Sequence, residues 1–255
     1  TRNPARDHRT RNGASLMDEL LGPFEQMLAS VAGRSADSAL QWKAIEESGY
    51  LDALVPEASG GAGLSLSDIE PLIRALGRFA ITAPVAETMA KRALGVDTLE
   101  RPLSAILAAA EIAGLAEKIL EMSLSYANDR VQFGKPIGKL QVIQQQLAVM
   151  GEQVLMARMA SQIGCAQGLA PSLEVAAVAK QVASATVPQI ASIAHAVHGA
   201  IGITEEFDLQ RYTRRLHALG LAHGSEGYWA NFVGKARLQS DRQSSVEFIL
   251  SLRKS

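Results

Sequence analysis

Cysteine is almost absent from this sequence, with Cys165 the single example among 255 residues. A lone thiol can form neither a disulfide within the chain nor a cysteine-based zinc site. Cys165 follows Met159 and Ile163 in a helical pattern, which predicts a small buried apolar residue rather than a nucleophile.

Long hydrophobic runs and an excess of charge of one sign are also missing. No apolar run approaches the ~18 residues that a membrane-spanning helix needs, and no signal-peptide pattern is found, so we expect a cytoplasmic protein without a membrane span. The formal net charge of -1 gives no reason to expect a nucleic-acid partner. Aromatic residues make up only 5% of the chain, so its apolar residues are mainly alanine, leucine, isoleucine and valine, as in closely packed helices.

The first residues show no apolar periodicity. Residues 1–16 contain four arginines and are followed by Met17. We expect a disordered lead or a vector-derived remnant over 1–16, with a native start at Met17. A basic interaction arm is the alternative.

The segment from Tyr126 to Met150 joins two amphipathic patterns through a short turn. Apolar residues recur at intervals of three and four on both sides, which predicts two long antiparallel helices. These residues are Ile106, Ala109, Ala113, Ile119, Leu120, Leu124 and Ala127 before the turn, and Leu140, Ile143, Leu147, Met150 and Val154 after it. Arg130 is expected in the last turn of the first helix and Phe133 on an exposed corner. Structural roles are open to both, because an arginine can bond the last carbonyls and a phenylalanine can fill a bend.

Two further segments carry recognisable patterns. Glycines at 60, 61 and 63 form a loop that allows close backbone approach, and Ser67 or Asp68 is predicted to cap the helix that follows. A third bundle helix is predicted from about Pro171 to His198, with a kink at Pro188. His195 and His198 lie three residues apart on it, yet no third ligand lies nearby, so no metal site is predicted.

The turn after Tyr126 resembles the flavin-binding helical hairpin of the acyl-CoA dehydrogenase family. The matching residues are Tyr126, Arg130, Gln132, Phe133, Gly134, Pro136, Ile137, Gln141, Gln144, Leu147, Ala148 and Met150. The resemblance implies that Arg130, Gln132, Phe133 and Gln141 contact FAD, usually the FAD of a neighbouring subunit. The region from Trp42 to Pro84 is similar to the amino-terminal helical domain of the same family.

The segment from His198 to Leu209 resembles the family's glycine-rich segment near the cofactor. This implies that Gly199 and Gly202 belong to the cofactor site. Two residues depart from the family pattern: Ala196 replaces a glutamine that contacts FAD in many members, and Ala200 replaces a glycine. FAD is therefore the expected cofactor, with its retention in doubt.

The resemblance implies that His223, followed by Gly224 and Ser225, stands where straight-chain members of the family have their catalytic glutamate, while some members place the base on a different helix. Desaturation of an acyl thioester needs a base for the α-proton, and a histidine with an ordinary pKa near 6.5 can serve at neutral pH. A structural residue beside a glycine turn is the other interpretation. Other carboxylates that the sequence cannot place in a pocket are Glu111, Glu117, Glu121 and Glu226.

The family's middle β-domain has no counterpart between Ala93 and Ser104, because no alternating β-branched run lies there. We expect a reduced, all-α member, with an amino-terminal helical domain over 17–98 and an antiparallel four-helix bundle over 99–255. The resemblance implies α,β-desaturation of an acyl-CoA. We expect the chain to form a homo- or hetero-oligomer, as a subunit that another acyl-CoA dehydrogenase chain completes. An autonomous homo-oligomeric enzyme and a non-catalytic structural homologue are the alternatives.

Overall fold

Nearly all regular structure in the protein is helical. The computed structural model describes residues 19–32 and 38–252, and the predicted lead over 1–16 lies outside them. The first helix, α1, covers 19–32. The others are α2 (Ser38–Glu47), α3 (Leu66–Arg78), α4 (Val85–Leu94), α5 (Arg101–Asp129), α6 (Gln141–Cys165), α7 (Leu173–His198), α8 (Leu209–Leu221), α9 (Glu226–Leu238) and α10 (Ser245–Leu252). The predicted all-α fold is confirmed.

Helices α5, α6, α7 and α8 form the bundle. Helices α5, α6 and α7 pack against one another, and α8 packs against α5 and α7. Alanine is the most frequent residue on the buried face of α5, and its small side chain lets neighbouring backbones approach closely. Most of the predicted apolar face is buried, including Ala127 near its carboxyl end, whereas Leu124 is exposed.

Helix α3 crosses α5 with the two backbones in direct contact. A Cβ atom on Gly114 would overlap the carbonyl oxygen of Arg74, and one on Gly77 would overlap that of Glu111. The amino-terminal core is continuous with the bundle, since Leu103 at the start of α5 belongs to the same buried cluster as the apolar residues of α3 and α4. The two predicted domains therefore share packed residues.

Local signals correct several predicted details. Ser65, rather than Ser67 or Asp68, is the N-cap of α3, and it forms a reciprocal capping box with Asp68. Helix α7 runs without interruption from Leu173 to His198 through Pro188, where a kink was predicted. The glycine loop approaches its own chain, because a Cβ atom on Gly61 would overlap Val55.

Only a short connection separates α4 from α5. Within the described residues the strands are limited to Val131–Gln132 and Lys135–Pro136, which pair antiparallel in a two-stranded sheet. This part of the chain therefore contains no β-domain between the amino-terminal helices and the bundle. In the same residues, no helix has the length and apolar character required to cross a membrane.

Candidate functional site

The predicted turn between α5 and α6 is a two-residue β-hairpin. Helix α5 ends at Asp129, so Arg130 lies just beyond the helix rather than in its last turn. Val131 pairs with Pro136, and Phe133 and Gly134 form the tip. Both tip residues have positive φ, 53° and 75°, as a type I′ turn requires.

Phe133 is the most unusual residue of this hairpin. A left-handed backbone conformation costs a bulky non-glycine residue about 1–3 kcal/mol, and such residues concentrate at functional sites. Its side chain is also 86% exposed, so it does not fill the bend. Among the described residues, the side chains of Arg130, Gln132 and Gln141 are likewise exposed and have no polar partner. The hairpin thus presents an aromatic ring, a cation and two amides outward.

The glycine segment lies beside an aromatic cluster at the ends of α5 and α7. Tyr126 stacks on His198 with 4.6 Å between the ring centroids, and Phe207 contacts both rings. Gly199 has φ 63° and ψ -145°, a conformation for which glycine is needed. A Cβ atom on Gly202 would lie 3.0 Å from His198 Cβ, so close packing within the chain already accounts for that glycine.

The paired histidines of α7 have structural partners. His195 Nε2 lies 3.0 Å from Thr213 Oγ1, and His198 Nδ1 lies 2.8 Å from the carbonyl oxygen of Ala194. Burial lowers the pKa of both imidazoles, which favours their neutral forms. No group of three or more potential metal ligands occurs within the described residues.

His223 lies between α8 and α9, at the predicted position of the base. Its Nε2 atom is 3.1 Å from Glu87 Oε1 in the first turn of α4. Burial lowers the pKa of His223, and the charges of Lys180 and Arg101 lower it further, while Glu87 opposes them. The imidazole is therefore mostly neutral at neutral pH.

A second charged pair lies nearby. Arg215 Nη2 donates a hydrogen bond to Glu111 Oε2 at 2.8 Å. Burial raises the pKa of Glu111, Arg215 opposes that shift, and the charge of Glu87 adds to it. Arg215 therefore balances a buried carboxylate of α5, close to the His223 and Glu87 pair.

The remaining candidate carboxylates lie elsewhere. Glu117 binds Arg74 at 2.7 Å and Glu121 binds Arg78 at 2.8 Å, in an ion-pair network between α3 and α5. Glu226 is exposed in the first turn of α9. None of the three contacts His223 among the described residues.

Two residues of the site were not found from the sequence. Glu87 belongs to the amino-terminal helices, 136 positions before its histidine, so no local motif joins them. Lys180 is fully buried, and its Nζ donates to Ser184 Oγ and to the carbonyls of Leu219 and Gly220. The sequence signal that could have identified Lys180 was a lysine in the apolar face of a helix predicted to be buried.

Comparison with known proteins agrees with this arrangement. Residues 100–238 match the model of the acyl-CoA dehydrogenase C-terminal domain. The chain belongs to the acyl-CoA dehydrogenase family. It is 35% identical over 179 residues to acyl-CoA dehydrogenase IpdE2 of Mycolicibacterium smegmatis, covering 70% of this chain and 52% of that protein. It is 36% identical over 122 residues to glutaryl-CoA dehydrogenase of Desulfococcus multivorans, covering 46% and 31% of the two chains.

The chain spans about half the length, or less, of these curated relatives. Two solved structures match it almost end to end. The Tcur3481-Tcur3483 steroid ACAD G363A variant superposes with a TM-score of 0.76 and 17% identity, over 89% of this chain and 99% of that chain. The ChsE4-ChsE5 complex from Mycobacterium tuberculosis superposes with a TM-score of 0.73 and 16% identity, over 89% of this chain and 98% of that chain. At these identities the likeness concerns the fold.

Proposed function

We propose that this chain is a subunit of a flavin-dependent acyl-CoA dehydrogenase that desaturates an acyl-CoA thioester between its α- and β-carbons. The observation that carries the proposal is the exposed hairpin of Arg130, Gln132 and Phe133, whose tip combines a left-handed backbone with an aromatic ring that faces outward. Family members bind FAD, and the resemblance of the hairpin implies that these residues contact it.

The residues present fit the cofactor as one side of a shared site. Arg130 is an exposed cation suited to the pyrophosphate, Phe133 offers an apolar face, and Gln132 and Gln141 offer amide groups. Gly199 leaves open space beside its backbone, because a Cβ atom there would meet nothing within 4 Å. FAD, when bound, accepts the hydride that leaves the β-carbon.

A second chain is proposed because this site is open on one side. The hairpin and the glycine segment both contain exposed apolar side chains, since Val131, Phe133 and Ile203 are all largely exposed. Such surfaces are buried when subunits associate. We propose a full-length acyl-CoA dehydrogenase chain as the partner, supplying the β-domain that the described residues lack.

His223 is the proposed base on this chain. The amino-terminal region over 17–98 contributes Glu87 beside it, and the bundle over 99–255 carries the histidine and the flavin-facing hairpin. This division into two regions forms part of the proposal. The substrate class proposed is an acyl-CoA, without a choice of acyl group.

The test compares this chain alone with the same chain co-expressed beside a full-length dehydrogenase from a neighbouring locus. We expect the chain alone to lack flavin absorbance, and the co-purified complex to show stoichiometric flavin and one peak in size exclusion. Flavin and activity in the isolated chain would instead indicate the autonomous homo-oligomer. A complex that stays colourless after reconstitution with FAD would indicate a non-catalytic homologue, which Ala196 and Ala200 favour.

At the residue level, Arg130→Ala should weaken flavin retention by the complex at least tenfold, since a charge-assisted contact contributes about 1.5–3 kcal/mol. Arg242→Ala, at an exposed arginine between α9 and α10, is the matched control and should retain flavin normally. Equal retention by both variants would mean that the hairpin serves only as a scaffold.

A further inference from the structure

His223 and Glu87 form a contact between two parts of the chain that are far apart in sequence. The imidazole Nε2 and the carboxylate Oε1 are 3.1 Å apart, within hydrogen-bond reach. Their side chains remain 34% and 29% exposed. The pair is therefore accessible, whereas Glu111, the partner of Arg215, is buried.

The backbone of His223 is fixed in a conformation that the residue would rarely adopt by itself. His223 has φ 57° and Gly224 has φ 109°. The indole Nε1 of buried Trp229 donates to the carbonyl oxygen of His223 at 3.2 Å, and a Cβ atom on Gly224 would lie 2.6 Å from that nitrogen. Trp229 thus fixes the backbone of His223, and strain held in this way is typical of functional positions.

Charged groups from three other helices determine the protonation of the imidazole. Burial lowers the pKa of His223, Glu87 of α4 raises it, and Lys180 of α7 and Arg101 of α5 lower it. Glu111 of α5 interacts with Glu87 rather than with the histidine. A neutral ring that donates Nε2–H to Glu87 leaves a lone pair on Nδ1, and no group of the described residues bonds that atom.

We propose that Glu87 is the positioning residue of a histidine and carboxylate pair that replaces the family's single catalytic glutamate. This inference rests on the proposed function. His223 Nδ1 would take the α-proton of the acyl thioester, and the electron pair of that C–H bond would form the new carbon–carbon double bond. FAD, when bound, would accept the hydride that leaves the β-carbon. Glu87 holds the tautomer with hydrogen on Nε2 and stabilises the imidazolium that forms.

The location of Glu87 supports this role. It lies in the first turn of α4, where the helix dipole favours a negative charge. The carboxylate approaches the ring from the amino-terminal helices, whereas Trp229 fixes the histidine backbone from the bundle. The pair therefore forms only when both regions are packed together.

The experiment uses the flavin-loaded complex and measures flavin reduction by a panel of straight-chain, aromatic and polycyclic acyl-CoA esters under anaerobic conditions. The ester that reduces the wild-type complex fastest is then used with Glu87→Gln, His223→Gln and the control Glu226→Gln. For each variant, the pH profile of the reduction rate, the separate kcat and KM values and the thermal unfolding midpoint are recorded. Histidine ring ¹⁵N shifts report the tautomer of His223 without any need for activity.

In the wild type, the rate should rise with pH as His223 loses its proton, and the ring shifts should show hydrogen on Nε2. Glu87→Gln should lower kcat about tenfold or more with KM unchanged, and should move the rising limb to lower pH because a negative charge beside the ring is lost. His223→Gln should abolish reduction, and Glu226→Gln should match the wild type.

Two results would overturn the inference, and a third would contradict the proposed function on which it rests. An unchanged kcat and pH profile in a folded Glu87→Gln complex, with His223→Gln inactive, would show that the histidine acts without the carboxylate. Activity in His223→Gln would place the base elsewhere. A wild-type complex that binds no flavin, or that no ester of the panel reduces, would instead contradict the proposed function, and the ring shifts would then show whether the pair is structural.

Discussion

Lys180 offers a stability test that is independent of flavin chemistry. The Lys180 side chain is fully buried and has no carboxylate partner among the residues that the structure describes. Its Nζ donates to Ser184 Oγ, to Leu219 O at 2.8 Å and to Gly220 O at 3.1 Å. The two carbonyls belong to the last turn of α8, so Lys180 satisfies groups that a helix end leaves free. Burial lowers the pKa of Lys180 from 10.5 to about 8.

The direction of the pH dependence follows from this shift. Between pH 8 and pH 10.5 the unfolded chain binds more protons at this lysine than the folded chain does, so the free energy of unfolding rises with pH. The full difference corresponds to about 3 kcal/mol, with a slope of at most about 1.4 kcal/mol per pH unit. Lys180→Met should remove this rise. The substitution should also lower the free energy of unfolding at every pH, because two carbonyls lose their donor, at about 1–3 kcal/mol for each carbonyl.

The measurement is chemical denaturation of the wild type and of Lys180→Met from pH 7.5 to pH 10.5. Burial raises the pKa of the Cys165 thiol, but the contributions of this and other groups are the same in both proteins and cancel in the difference. Lys43→Met, at an exposed lysine of α2, is the control and should give a curve parallel to the wild type. Parallel curves for Lys180→Met as well would refute the account of a desolvated ammonium group.

The remaining predictions concern backbone packing. Gly114→Ala should lower the free energy of unfolding by more than about 3 kcal/mol, because its methyl group would overlap the backbone at Arg74. The control Gly151→Ala, in an open part of α6, should raise stability by about 0.5–1 kcal/mol. Thermal denaturation measures both, and equal effects would contradict the contact between Gly114 and Arg74. Phe133→Gly should relieve left-handed strain and raise stability by about 1 kcal/mol while reducing flavin retention by the complex. A loss of stability in Phe133→Gly would show that the ring packs within the chain.

Periodicity and family motifs predicted most of the fold because both act over short stretches of chain. The two apolar patterns around Arg130 predicted α5 and α6, and Gly134 marked the turn between them. Helix ends were less exact. The sequence favoured Ser67 or Asp68 as a cap, but Ser65 takes that role because Asp68 reaches back to it. Competing polar residues near a helix start cannot be ranked without the geometry of the turn.

The sequence by itself determined the family, the helical class and the segments that carry the candidate site. The tertiary structure alone brought Glu87 to His223, placed Lys180 under the end of α8 and paired Glu111 with Arg215. The reason is physical: these contacts join helices separated by tens to more than a hundred residues, and the packing of whole helix faces decides which side chains meet. Local propensity and residue spacing do not determine that packing.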